Sequence, residues 1–298
     1  MIKTLDDVLK EAAERPSRTI AVAAAEDAPV LRSVVKAQEM GLVKALLFGS
    51  AASIRAVAEE EELDLGPFEV VDVSSNAQAA AGAVGAVRDG RAAMLMKGNL
   101  QTSQFLSAIL DKESGLRDGK NVIAHVAVMQ VSGYDRLLLV TDAAMNVAPD
   151  LQTKVSIIGS AVWVAHALGI ERPKVAALAA VEVVNAAMSA TTEAAMLAKM
   201  NDRGQIKGCV VDGPLGLDNA VSMEAAKHKG IGGDVAGQAD ILLAPDLEAG
   251  NVLYKAITYL AHGRSAGIIV GARAPVVLTS RSDSEESKLA SIALSAIV

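Results

Sequence analysis

The sequence predicts an α/β protein made of two α/β/α domains with mostly parallel sheets. Three observations carry that expectation. Short aliphatic runs without charge alternate with amphipathic segments along nearly the whole chain, and several amphipathic segments close on glycine. The length, 298 residues, exceeds what one hydrophobic core usually organises. A charge-free aliphatic run reads as a strand covered on both faces. Strand–helix–strand alternation places such strands in parallel.

The amino end, MIKTLDDVLKEAAERPS, reads as an amphipathic helix of mixed charge without the apolar centre of a signal peptide. Strands follow at TIAVAAA (19–25), VKALLFG (43–49), FEVVDV (68–73) and AAMLMKG (92–98). Helices separate them at PVLRSVVKAQEMG (29–41) and SAASIRAVAEEEEL (50–63), where Glu59–Glu62 form a solvated face. AGAVGAVRDG (81–90) reads as a small-residue helix packed closely on a sheet, and TSQFLSAILDKESG (102–115) as a further helix. Glycine just past several of these segments is the usual helix terminator.

NVIAHVAVM (121–129) and RLLLVTD (136–142) are joined through Ser132-Gly133-Tyr134-Asp135. That link is too short for a crossover helix, so an antiparallel hairpin is expected. Beyond it come the helix LQTKVSIIGSAVWVAHALG (151–169) and strands KVAALAAVE (174–182), GCVVDG (208–213) and ADILLAP (239–245). The helix VLYKAITYLAHG (252–263), strands GIIVG (267–271) and APVVLTS (274–280), and an apolar helical tail complete the chain. The hairpin and AHGRSAG mark the expected crossings, with residues 1–130 plus 264–298 in a first domain and 131–263 in a second.

Composition narrows the function. Aromatic residues are only 2%, so small aliphatic side chains build thin layers. The net charge of −7 argues against a nucleic-acid partner. No run approaches the ~18 apolar residues of a membrane span. The single cysteine, Cys209, excludes an internal disulfide framework and reads as a small core residue. A cytoplasmic protein is expected. There is no G-x-x-x-x-G-K-[ST] phosphate loop, no G-x-G-x-x-G, no H-E-x-x-H and no G-x-S-x-G, and the four histidines are scattered. Neither a metal nor a bound cofactor is expected.

In open α/β sheets ligands sit beyond the carboxyl ends of the strands. Asp142, Asn146, Asp246 and Asn251 follow such ends, where capping the next helix is the ordinary role of Asp and Asn. Lys97 and the pair Ser280–Arg281 are different. A cation at a strand end caps no helix, and the dipole of a following helix opposes it unless an anion binds there.

VDGPLGLDNAVS (211–222), DVAGQADILLAPDLEAGNVLYK (234–255) and VVLTSRSDSEESKLASIALSAI (276–297) resemble the phosphate acetyl/butyryltransferase family. MLMKGNLQTSQFL (94–106) and EVVNAAMSAT (182–191) resemble its butyryltransferase branch. The likeness runs from Thr19 to the carboxyl end; its blocks are specific in combination and not singly. It implies two α/β/α domains around a cleft, like isocitrate and isopropylmalate dehydrogenases, in a homodimer or higher homo-oligomer. The implied reaction is acyl-CoA + phosphate ⇌ acyl phosphate + CoA, with CoA a substrate and not a cofactor.

The resemblance also assigns residues. The family's Ser-Arg pair matches Ser280 and Arg281, with Arg281 on the phosphoryl group or the developing oxyanion. Pairing of Arg281 with Glu285 or Glu286 is the structural alternative. Lys97, Gly98 and Thr102 fall at the phosphate end. Asp246, Glu248 and Asn251 belong to a cleft-lining loop, and Asp142 and Asn146 to an Asp-x-Ala-hydrophobic-Asn block. In the acetyltransferase branch an aspartate seven residues after the serine acts on the thiol. Here Ser287 stands there, with Glu286 adjacent and Asp283 nearer the serine, so the base stays open. The competing functions are an acetyl-CoA-specific phosphate acetyltransferase, a non-catalytic CoA- or phosphate-binding regulator, and a metal- and NAD-dependent decarboxylating dehydrogenase. The last needs an aspartate cluster that the sequence lacks.

Overall fold

The structure is a computed structural model that describes residues 2–119, 121–278 and 283–298. By contacts the chain divides into a central unit, Met1–Leu5 with Val122–Ser265, and a terminal unit, Asp6–Asn121 with Ala266–Val298.

After α1 (Leu5–Glu14), the terminal unit runs β1 (Arg18–Ala23), α2 (Ala28–Glu39), β2 (Val43–Gly49), α3 (Ala51–Glu60), β3 (Glu69–Asp72), α4 (Asn76–Arg88), β4 (Met94–Lys97) and α5 (Thr102–Leu110). β10 (Arg264–Val270), β11 (Val276–Val277) and α11 (Glu285–Ile297) return to it. The strand order is β3-β2-β1-β4-β11-β10. All pairs are parallel except β10 with β11. The chain steps one way from β1 to β2 and the other way to β4, so the crevice between β1 and β4 is the topological switch point.

Local chemistry sets these elements. Asp27 opens α2 by accepting a hydrogen bond from Val30 N at 3.1 Å, with Pro29 in the first turn. α4 is the expected small-residue helix: a Cβ at Gly82 would stand 2.8 Å from the Phe48 ring, so only glycine lets the helix lie so near β2. Lys288–Ile297 of α11 are all buried, which accounts for its apolar sequence.

The central unit contains β5 (Ala124–Gln130), β6 (Leu138–Thr141), α6 (Leu151–Ala167), β7 (Lys174–Leu178), α7 (Ser189–Asp202) and β8 (Val210–Leu215). Two short helices, α8 (Leu217–Val221) and α9 (Met223–His228), precede β9 (Ile241–Leu243), α10 (Leu247–Lys255) and a π-helical turn, Ala256–Leu260. The order is β5-β6-β9-β7-β8. β5 and β6 form the expected antiparallel hairpin, and the other pairs are parallel. Leu242 lies mid-sheet, in register with Val140 and Ala176, and is fully buried among Leu138, Leu215 and Val235. Burying one such side chain stabilises the fold by about 2 kcal/mol.

Among the boundaries that differ from the expectation, three lie in the central unit near its carboxyl strand ends, and β11 keeps only Val276–Val277 of the expected 274–280 among the described residues. The strand expected over 174–182 stops at Leu178, because pairing with β8 shifts register between Ala176 and Leu178. Glu182 is therefore a loop residue. β9 keeps only three of the seven residues of ADILLAP. The helix expected from 252 begins at Leu247, since Asp246 caps it, and it widens into the π turn from Ala256. No helix among the described residues is long and apolar enough to cross a membrane.

Candidate functional site

Ser280 and Arg281 lie outside the described residues. Their flanks are described. β11 pairs in parallel with β4, Val277 opposite Met96, so the next residue, Leu278, comes level with Lys97. The chain thus leaves β11 at the carboxyl edge of β4. On the far side, the Asp283 main-chain carbonyl accepts a hydrogen bond from Lys288 Nζ. Burial pushes the Lys288 ammonium below the usual lysine range, against the pull of Asp283, Asp27 and Glu285. Ser287 sits in the first turn of α11 and its N–H donates to the cap Ser284 Oγ at 3.1 Å. Glu285 is held by Arg32 Nε at 3.0 Å.

Lys97 ends β4 at the switch point and is 5% exposed. Its Nζ donates to the carbonyls of Gly98 and Leu100, each at 3.1 Å, which turns the loop back on the strand end. Gly98 is required there. Its N–H donates to Ala23 O at 2.8 Å, and a Cβ would stand 2.0 Å from Ala24 O. Asn99 N–H also reaches Ala24 O, at 2.7 Å. Thr102 begins α5, exposed, behind Gln101, whose side chain makes no cap hydrogen bond.

In the central unit the structure gathers Asp142, Asn146, Asp246 and Asn251 at the carboxyl ends of β6 and β9. Asp142 is 3% exposed. Its Oδ1 accepts from Ala144 N at 2.9 Å and Met145 N at 3.0 Å, and its Oδ2 from Asn146 Nδ2 at 2.5 Å. Asn146 Nδ2 also donates to Ile123 O at 2.9 Å. Asp246 caps α10 through Ala249 N at 2.8 Å. Asn251 Nδ2 donates to Ala143 O at 3.0 Å, tying α10 to the Asp142 loop. Glu248 is exposed in the first turn of α10, where a carboxylate suits the helix dipole. Asp142, Asn146, Asp246 and Asn251 therefore hold the carboxyl edge in shape with the hydrogen bonds described.

Two groupings on this unit escaped the sequence reading. Lys154, 5% exposed, pairs with Glu193 beside a cavity of about 320 Å³ that Asp150, Ser189 and Asp246 also line. The available signal was one lysine inside an otherwise apolar helix. In the other, Glu182 accepts from Lys229, and from Asn219 Nδ2 at 2.7 Å. Lys229 and then Asn219 pull the Glu182 carboxyl down to about 2. Burial pushes the Cys209 thiol up to about 11, so it stays neutral and behaves as a core residue.

The model for phosphate acetyl/butaryl transferase matches residues 4–82 and 75–296. Over 298 residues the chain is 51% identical to the phosphate butyryltransferase of Clostridium beijerinckii, covering 100% of this chain and 98% of that one. The crystal structure of a branched-chain phosphotransacylase from Enterococcus faecalis V583 superposes with a TM-score of 0.82 at 35% identity, covering 93% of this chain and 97% of that one. A 4-hydroxythreonine-4-phosphate dehydrogenase from Burkholderia phymatum gives 0.58 at 13% identity, over 95% and 98% of the two chains, a likeness of fold alone.

Proposed function

Since the chain belongs to the phosphate acetyl/butaryl transferase family and is a phosphate butyryltransferase-like phosphotransacylase, we propose that it moves a short acyl group between the sulfur of CoA and inorganic phosphate. A phosphate oxygen attacks the thioester carbonyl, a tetrahedral oxyanion forms, and the C–S bond breaks to release CoA thiolate and acyl phosphate. In reverse the thiolate attacks the acyl phosphate and phosphate leaves. Full-length identity to a phosphate butyryltransferase is the observation that carries this reading.

Arg281 takes the oxyanion in this scheme, because a guanidinium meets a tetrahedral oxyanion with two parallel hydrogen bonds. Ser280 donates a further hydrogen bond to the carbonyl or the thiol. Lys97, Gly98 and Thr102 supply the phosphate end, supported by the position of Lys97 at the switch point. Asp142, Asn146, Asp246, Glu248 and Asn251 shape the carboxyl edge of the central unit's sheet. Thiol capture needs a base, since a thiol of pKa about 8.5 is mostly protonated at neutral pH. Ser287 cannot serve, which leaves Asp283 and Glu286 as the carboxylates beside it in sequence.

The test is thiol release from butyryl-CoA and acetyl-CoA, each with and without phosphate. Release should require phosphate. Two methylenes, at ~0.8 kcal/mol each, set a butyryl preference of about tenfold in kcat/KM. Release that ignores phosphate, or none from either ester, overturns the reading; a preference for acetyl-CoA would return the acetyltransferase. We take the protein to work in the cytoplasm, on its single cysteine, and as a homodimer or higher homo-oligomer, on the family resemblance. A monomer by light scattering at assay concentration would refute the oligomer.

A further inference from the structure

We propose that the amino-terminal edge of the central sheet binds a compact polyanion, anchored by Arg136 and Arg172. The site lies at the strand ends opposite Asp142 and Asp246, and it stands independently of the acyl-transfer reading. A groove of about 550 Å³ opens there, lined by residues just before β6, β7 and β9 and by the pinned segment at Ile2 and Lys3. That is ample for a pyrophosphate- or citrate-sized ligand.

Arg136 is held in place before anything binds. Its Nε donates to Asp135 Oδ1 at 3.0 Å, its guanidinium lies 5.8 Å from the centre of the Tyr134 ring, and Nη1 stands 3.8 Å from Asp240 Oδ1. Asp240 is occupied as well: its Oδ2 accepts the Lys174 main-chain N–H at 2.9 Å. Lys174 Nζ donates to Gln238 Oε1 at 2.8 Å. Arg172 is exposed and has no partner among the described residues.

Donors therefore outnumber acceptors. Four cations, Lys3, Arg136, Arg172 and Lys174, line the groove with three acids, and Asp135 and Asp240 already accept hydrogen bonds. Glu171 is the third, exposed beside Arg172. A guanidinium carries five N–H donors and an ammonium three, and neither can accept. A ligand that only accepts, with several anionic oxygens, supplies what the groove lacks. This positive balance sits on a chain of net charge −7. Glu171 and the carboxyl end of α6 oppose an anion, and the helix-end carbonyls of Ala165, His166 and Leu168 are taken. Gly169 N reaches His166 O at 2.9 Å, Ile170 N reaches Ala165 O at 3.0 Å, and Ile2 N reaches Leu168 O at 3.1 Å. Phosphate and carboxylate polyanions share this chemistry.

Titration calorimetry of the full chain with pyrophosphate and, separately, with citrate at low salt tests the site. Wild-type protein should bind at least one of them; which one identifies a phosphate- or a carboxylate-type ligand. Arg172→Glu alters an exposed side chain and should weaken that binding by about tenfold or more, the scale of one charge-assisted hydrogen bond. Arg136→Gln should do the same, and raising the salt should weaken the wild-type complex. The KM for phosphate in acyl transfer should stay unchanged in Arg172→Glu. Failure of the wild type to bind either anion, unchanged affinity in Arg172→Glu, or a KM for phosphate that rises in step with the lost affinity would overturn the proposal.

Discussion

Arg281→Ala is expected to lower phosphate-dependent turnover of butyryl-CoA by about 10²-fold or more while leaving the KM for the thioester nearly unchanged. A donor aimed at charge that develops only in the transition state contributes to kcat and little to ground-state binding. Arg281→Lys should recover only part of the rate, since an ammonium restores charge without the planar fork. The alternative, a structural ion pair with Glu285 or Glu286, makes a different forecast. Glu285 is already engaged by Arg32 at 3.0 Å, with its side chain 39% exposed. A surface pair of that kind contributes about 1 kcal/mol or less, so its loss would shift the melting temperature slightly and leave kcat alone. A wild-type rate in Arg281→Ala removes the arginine from the chemistry.

What the sequence discloses of this fold is whatever short-range pattern controls. Charge-free runs mark the buried strands because both faces of a parallel sheet are covered. The short link around Ser132–Asp135, seven residues between the strands, forces the β5–β6 hairpin because no crossover helix fits in it. Gly82 announces close helix–sheet packing because no side chain fits against Phe48. Boundaries that depend on a distant partner are hidden. Nothing in KVAALAAVE shows that pairing with Val210–Leu215 will slip after Ala176, so three apolar residues, Ala179–Val181, end up beyond the strand together with Glu182. The same division runs through the candidate site. Capping by Asp246 is legible from its place before an amphipathic helix. The bond from Asn251 to Ala143 spans 108 residues and is not. The Lys154–Glu193 pair joins two helices 39 residues apart, and only the oddity of a lysine in apolar surroundings hints at it. The roles of Ser280 and Arg281 rest on family likeness, since strand-end position alone says only that an anion belongs nearby.

Gly250→Ala is expected to destabilise the protein by about 1–3 kcal/mol and to cost up to about 10²-fold in turnover. Helix propensity alone predicts the opposite sign, because alanine is favoured over glycine inside a helix by about 1 kcal/mol. Packing decides. A Cβ at Gly250 would stand 2.2 Å from Asp142 O and 3.1 Å from Ala244 Cβ, and the nearer atom is backbone that cannot swing aside. Relieving the overlap means lifting α10 off the end of β6. That strains Asn251 to Ala143 O at 3.0 Å and Leu247 N to Val147 O at 3.1 Å, the bonds that join α10 to the Asp142 loop. Gly159→Ala supplies the control. It lies exposed inside α6 with nothing within 4 Å of the new methyl, so propensity should win there and raise stability by about 1 kcal/mol. Urea midpoints of the two variants moving in opposite directions would establish that the α10–β6 contact is as close as described. A midpoint that rises in both would mean that helix propensity outweighs any clash at Gly250, and the close approach of α10 to Asp142 would have to be given up.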